Sequence, residues 1–395
     1  MRLRWTGVGI LALLAVPAAA QQSVSLQTDE RAALRQLSTA LAARDYATAG
    51  TAVTAAQNAA RSGYARYLAS ALQYRLGAET GNVGLQQTAI DAMLSSGAAP
   101  ASELPFLYRN RGALAENAGK YEQAEGFYAR WAEAAPGDQE ALLALAQVKN
   151  LRKKPGEAVA LLDRAASARR AAGQPISENL YKRGVSLALA NRLAQPAATF
   201  SRGLVTDYSS PDNWRDAVLV SRDLVPADPA AAIDGWRLLR QAKALAGERD
   251  YLAYAKALVD AGMPAEAKAV LDEGVAARMV DPAKPEFKAL LLSAGKAAAA
   301  GKAGLAGQAA KATAGPAALK AADAYLSYGE PAKAVPLYRA ALAAGGVDAD
   351  LANLRLGIAL AMSGNRAEAP AALGAVGGAR KDLASLWMVW LGRAA

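Results

Sequence analysis

Short alanine- and leucine-rich stretches, cut at near-regular intervals by turn-forming residues, restrict this chain more than any other feature. The breaks fall at Gly119-Lys120, Pro136-Gly137, Pro155-Gly156, Pro211-Asp212, Gly262-Met263-Pro264, Gly329-Glu330-Pro331 and Gly364-Asn365. They leave helices of roughly 12 to 15 residues, the length usual for soluble helical proteins. Alanine and leucine favour helix, and stretches such as Gln139–Leu151 show no apolar–polar alternation that would suit a strand. With 53% hydrophobic residues the chain is too apolar for disorder, and with 6% aromatics it is too poor in them for an all-β protein. An all-α fold is predicted.

The clearest internal period lies between residues 105 and 170. Tyr108 stands four residues before Gly112; Ala124 follows twelve later, then Tyr128, Trp131 and Pro136. Ala146 and Ala158 lie 34 residues after Gly112 and Ala124, with Leu142, Leu145, Leu162 and Ala165 continuing that unit. This pattern resembles the tetratricopeptide repeat, although Arg111 and Ala115 stand where that repeat has a leucine and a first-helix aromatic. Drifted copies follow: Leu180, Gly184, Leu187 and Phe200; a unit opened by Trp214; and Tyr251, Tyr254, Ala255, Gly262, Ala267 and Leu271. Ala322, Tyr325, Gly329, Ala334 and Tyr338 form another, and Leu356, Gly357, Leu360, Gly364, Ala369 and Leu373 the next. The stretches around Tyr46 and around Tyr67, Ala71 and Tyr74 read as helix pairs as well.

The resemblance implies an α-solenoid of about eight to ten stacked antiparallel helix pairs, a tetratricopeptide-like superhelix. Small residues at Gly112, Ala124, Ala146 and Ala158 would let paired backbones approach, and Tyr108, Tyr128 and Trp131 would fill the space between pairs. Residues 382–392 read as a capping helix with Leu386, Trp387 and Trp390 turned inward. In such arrays the first helix of each pair lines a groove that takes an extended peptide or a partner helix. The positions falling there are Arg109, Asn110, Ala113, Glu116, Asn117, Leu143, Gln147, Asn150, Glu178, Tyr181 and Lys182. Asn and Gln suit a peptide backbone, while Arg109 and Lys182 suit a carboxylate. Ala113 occupies the place of the first asparagine of the family's carboxylate clamp, so capture of an acidic C-terminal tail is not expected.

Residues 284–320 break the pattern, with Lys284, Lys288, Lys296, Lys302, Lys311 and Lys320 against one acid, Glu286, amid alanine and glycine. They read either as a basic patch for an anionic partner or as a poorly packed repeat. The expected organisation is thus a signal peptide at 1–20, degenerate helix pairs over 21–100, a repeat array over 101–282, an irregular Lys/Ala/Gly-rich helical segment over 283–315, and C-terminal units with a capping helix over 316–395.

Chemistry is narrowed by what the chain omits. There is no His and no Cys among its 395 residues, which removes Ser-His and Cys-His nucleophiles, His-ligated zinc, thiolate metal sites and disulfides. Gly295 to Lys302 departs from a phosphate loop in spacing and in the residue after the lysine. Ser293-Ala294-Gly295-Lys296 matches S-x-x-K without the companion K-[ST]-G. A paired-carboxylate glycosidase needs no histidine, but Glu116, Glu133 and Glu157 read as exposed helix-face acids. No enzyme, cofactor or metal is expected.

The N-terminus begins Met1-Arg2-Leu3-Arg4, continues with an apolar run over 7–16, and reaches Ala18-Ala19-Ala20. This is a secretory signal by composition and is too short to cross a bilayer. Cleavage after Ala20 would place the mature chain in a bacterial periplasm, or secreted or associated with an outer membrane. The net charge of +10 is spread without Lys/Arg blocks, which argues against nucleic acid as partner. A non-enzymatic envelope scaffold holding a protein or peptide is the function expected. The alternative is a polysaccharide-binding module of exopolysaccharide export, and a peptidoglycan-acting protein ranks below both.

Overall fold

A computed structural model describes residues 26–223 and 228–393; the predicted signal peptide lies outside them. Among the described residues there are twenty α-helices and no strand. They gather into two compact units, residues 1–161 and 162–395.

The first unit holds α1 (Thr28–Ala42), α2 (Tyr46–Ala59), α3 (Gly63–Thr80), α4 (Val83–Ser95), α5 (Leu104–Asn117), α6 (Tyr121–Ala134), α7 (Gln139–Leu151) and the start of α8 (Pro155–Ala171). Short connections force neighbours antiparallel, and α1 packs on α2, α3 on α4, α5 on α6. The helix starts are written in the sequence: Asp45, Ser62 and Asn82 accept hydrogen bonds from the amides of Thr48, Ala65 and Leu85, three residues on.

One spacing sets how closely paired helices approach. Buried small residues stand twelve apart across successive pairs: Ala40 and Ala52, Gly77 and Ala89, Gly112 and Ala124, Ala146 and Ala158. A side chain on Gly112 would run into the Tyr128 ring. The same relationship recurs in the second unit at Ala255 and Ala267, Ala322 and Ala334, Gly357 and Ala369. There a β-carbon on Gly357 would lie 2.6 Å from the Leu373 side chain. These are stacked antiparallel helix pairs of the tetratricopeptide kind.

The second unit contains the remainder of α8, then α9 (Glu178–Ala190), α10 (Ala194–Asp207), α11 (Pro211–Asp223), α12 (Pro229–Gln241), α13 (Gly247–Asp260), α14 (Pro264–Ala276), α15 (Pro285–Lys311), α16 (Gly315–Ser327), α17 (Pro331–Ala344), α18 (Ala349–Met362), α19 (Ala369–Gly374) and α20 (Lys381–Arg393). The lysine-rich segment, read from composition as irregular, forms α15, one continuous helix of 27 residues. Phe287, Ala294, Leu305 and Ala309 give it a buried stripe, which holds the glycine-containing stretch in helical register.

Helix α20 does more than cap the last pair. It packs against α10, α11 and α12, and α18 also meets α12. Trp387 is fully buried and donates its indole N–H to the Asp234 carbonyl at 3.2 Å, while Leu386 is buried and Trp390 half-buried beneath Arg366. Arg380 joins Asp228 to Asp348 at 2.7 and 2.6 Å.

Candidate binding surfaces

In the first unit, α3 and α5 are the first helices of adjacent pairs, and a cleft of about 470 Å³ lies along them. Helix α3 contributes Tyr74, Arg75 and Glu79; α5 contributes Asn110, Ala113 and Asn117; Gln86 enters from α4. Tyr74 is 7% exposed and meets the 40%-exposed Phe106 edge to face at 5.8 Å, and with Ala78 and Leu114 it gives the cleft its apolar side. Arg75 is held by Glu79 at 2.7 Å along the helix. Asn110 donates to the Phe106 carbonyl at 2.7 Å, and Gln86 to the Gly77 carbonyl at 3.0 Å. The exposed Asn117 has no hydrogen-bond partner among the described residues.

The remaining sequence-predicted groove residues divide by role. Glu116 accepts the Tyr128 hydroxyl at 2.8 Å and the Gln147 amide at 2.6 Å, so it ties α5 to α6 and α7. Arg109 is exposed and lies over the Trp131 ring at 5.4 Å, directed at α6. Asn150 is half-buried in α7, and Leu143 is buried. The acids Glu133 and Glu157 are exposed, as helix-face residues should be.

In the second unit Tyr181 reaches the edge of a cleft, but its ring is not free there. It is 3% exposed, packs into the space left by Gly203, and donates its hydroxyl to Asp207 at 2.6 Å. Burial, with the Asp207 carboxylate second, pushes its phenol up to about 12. A tyrosine at this position has to bury its ring to fill the gap between the helices of its pair, and the hydroxyl then needs an acceptor. Lys182 is exposed and pairs with Glu178 at 2.8 Å. With Leu189 of α9 and Asp216 and Leu219 of α11, it borders a second cleft of about 520 Å³.

The six lysines of the basic segment do not act alike. Lys284 is bound by Glu248, and Lys302 by Glu330 while lying over the Tyr328 ring at 5.0 Å. Lys288, Lys296, Lys311 and Lys320 remain exposed, the first three along α15 and the last on α16.

Periodicity did not reveal a buried ionic network in the second unit. Asp234 and Arg237 of α12, Glu266 of α14, Asp323 of α16 and Arg355 of α18 interlock. Arg237 reaches Asp234 and Glu266, each at 2.6 Å, and Arg355 reaches Asp323 at 2.7 Å and Asp234 at 3.2 Å. Tyr254 and Tyr338 donate to Glu266 and Asp323, both at 2.7 Å. Burial pushes the Asp323 carboxyl up despite the Arg355 charge beside it. For Glu266, burial acts in the same sense, but Arg237 and the Tyr254 hydroxyl outweigh it and hold the carboxyl below its usual value. Every member has partners, so the network is a structural clasp. The sequence does carry a signal for it: Arg355 interrupts the otherwise apolar run Leu354–Met362.

No protein-family model matches the chain, and no curated protein does. Solved structures do match. PilW, a widely conserved type IV pilus biogenesis factor, shares 18% identity over 46% of this chain and 78% of its own, with a TM-score of 0.31. Pseudomonas aeruginosa PilF shares 14% identity over 67% of this chain and 97% of its own, with a TM-score of 0.30. A tetratricopeptide repeat protein from Parabacteroides merdae shares 12% identity over 85% of this chain and 100% of its own, also at 0.30. Superpositions this loose carry no function across; the tetratricopeptide-like character rests on the helix pairs themselves. Among the described residues, no helix is long and apolar enough to cross a membrane.

Proposed function

We propose that the chain is a non-enzymatic scaffold of the bacterial envelope, holding a peptide or partner helix in the cleft between α3 and α5. The observation that carries this reading is the pairing, in one cleft, of an apolar side at Tyr74, Ala78 and Leu114 with the amides of Asn110 and Asn117. The Asn117 amide has both a donor and an acceptor to offer, which is what an extended backbone or a helix end requires. An apolar wall and a few placed amides give a peptide site its affinity and its register. The export element of the proposal rests on the N-terminal leader alone, and N-terminal sequencing of the mature protein from fractionated cells tests it separately.

The binding element is tested by crosslinked recovery from envelope extract. Asn110→Ala/Asn117→Ala should lose the recovered partner, while Lys288→Ala/Lys296→Ala on the second unit should keep it. Equal recovery by both variants and the wild type would remove the assignment.

A further inference from the structure

A third cleft, wholly within the second unit, has a different chemistry. It has a volume of about 920 Å³ and lies among the end of α8, the α8–α9 connection, α10 and α20. That is within the range, roughly 300 to 1,000 Å³, of sites that enclose small molecules. Its polar lining is Arg170, Gln174, Thr199, Arg202 and Thr206, with Tyr181 and Asp207 hydrogen-bonded to each other at one side, and its apolar floor is Pro175, Ile176, Val389 and the half-buried Tyr208.

The walls are fixed in advance. Arg169 donates to the Pro175 carbonyl at 2.6 Å and the Tyr208 hydroxyl to the Ile176 carbonyl at 2.8 Å. Asn213 in turn holds the Tyr208 carbonyl at 2.7 Å. A connection pinned from both sides loses little freedom when a ligand arrives. The cations are incompletely spent. Arg202 is 37% exposed, and the acid paired with it, Asp382, stands 3.9 Å away, beyond hydrogen-bond reach. Arg170 contacts the Tyr181 hydroxyl, whose own proton goes to Asp207.

We propose that this cleft binds a hexuronate, free or as one residue of a longer saccharide. A carboxylate satisfies the guanidinium donors of Arg170 and Arg202, in the geometry arginine prefers. The ring hydroxyls find Gln174 and Thr199, which both donate and accept, and the Thr206 hydroxyl oxygen, which accepts while its proton goes to the Arg202 carbonyl at 2.8 Å. The C–H face of the sugar lies on the floor of Pro175, Ile176 and Tyr208. A neutral sugar would leave the arginines facing nothing; an acidic peptide would meet the arginines and Gln174 too, but brings no flat C–H face to the floor, and the dipeptide is the control that separates the two. The site shares no residue with the α3–α5 cleft, so the two proposals stand or fall separately.

The test is calorimetric titration of the full chain with galacturonate, trigalacturonate, glucose and an aspartyl-glycine dipeptide. Galacturonate should bind, with glucose and the dipeptide weaker by about tenfold or more, the usual result of losing one charged hydrogen-bonding group. Arg202→Gln and Arg170→Gln should each weaken galacturonate about tenfold, and Gln174→Ala should weaken it without creating affinity for the dipeptide. Circular dichroism of each variant confirms that the helices persist. Tighter binding of trigalacturonate marks a polymer as the source, and equal binding marks the free acid. No heat with galacturonate, equal affinity for glucose, preference for the dipeptide, or an unchanged Arg202→Gln affinity would each overturn the proposal.

Discussion

Asp234 and Arg355 are 121 residues apart in sequence and 3.2 Å apart in space, both almost completely buried. Asp234 also holds Arg237, so one carboxylate serves two guanidinium groups on two helices. Removing one partner of such a cluster leaves a buried charge with nothing to balance it. Asp234→Ala should therefore cost about 3 to 5 kcal/mol, measured as the loss of unfolding free energy in urea. Arg355→Met together with Asp323→Leu removes both charges of a pair and should cost much less than Arg355→Met alone.

Acid should weaken the same network through Glu266. Its folded carboxyl titrates below the usual value of 4.5, so its stabilisation is present above that pH. It is lost as pH falls through the folded value, because the unfolded chain takes up the proton first. Glu266→Gln should flatten the stability–pH curve below about 4.5, at a cost in stability at neutral pH. Asp323 opposes this trend, since its raised carboxyl favours the protonated folded state. The check is urea midpoints for both proteins from neutral to acid conditions.

Tyrosine outnumbers phenylalanine fourteen to four, and the structure gives a reason. Buried Tyr67, Tyr128, Tyr181, Tyr254 and Tyr338 each donate a hydroxyl to a carboxylate within the same unit. Tyr128→Phe keeps the ring and strips Glu116 of one donor, and should cost about 1 kcal/mol in thermal or urea unfolding. Gly112→Ala instead pushes a methyl into that ring, and should cost about 1 to 3 kcal/mol.

Several helix-ending turns use a basic residue where glycine would be easier, three of them within pairs and two, at Lys243 and Arg278, after α12 and α14. Arg44, Lys153, Arg192, Lys243 and Arg278 all have φ between 55° and 61°, the role that Gly119, Gly262, Gly329 and Gly364 fill in other pairs. Lys243→Gly and Arg192→Gly should each raise stability by about 0.5 to 1 kcal/mol, since the strain removed exceeds the entropy lost. Differential scanning calorimetry on each variant, and on the pair, tests both the sign and the additivity.

These turns also show where the sequence was readable. Turns at Gly119, Gly262, Gly329 or Gly364 announced themselves, while those at Lys153 or Lys243 were visible only through neighbouring prolines or not at all. The small residues were readable for a similar reason: close approach admits glycine or alanine and little else. The groove was only half readable. Helical period gives the direction of a residue but not what meets it there, so Tyr181 looked available and is instead consumed by Gly203 and Asp207. The clasp around Asp234 and the cleft at Arg202 join residues far apart in the chain, and a search for local period has no access to them.

The docking of Trp387 on the Asp234 carbonyl, across 153 residues, imposes an order of events on the second unit. Until α20 has been delivered, α12 is without the tryptophan that covers it, with Asp234 and Arg237 close at hand. Synthesis is then a period of exposure for this part of the chain. An interruption just short of α20 would leave an almost complete array that a quality-control protease can still recognise as unfinished.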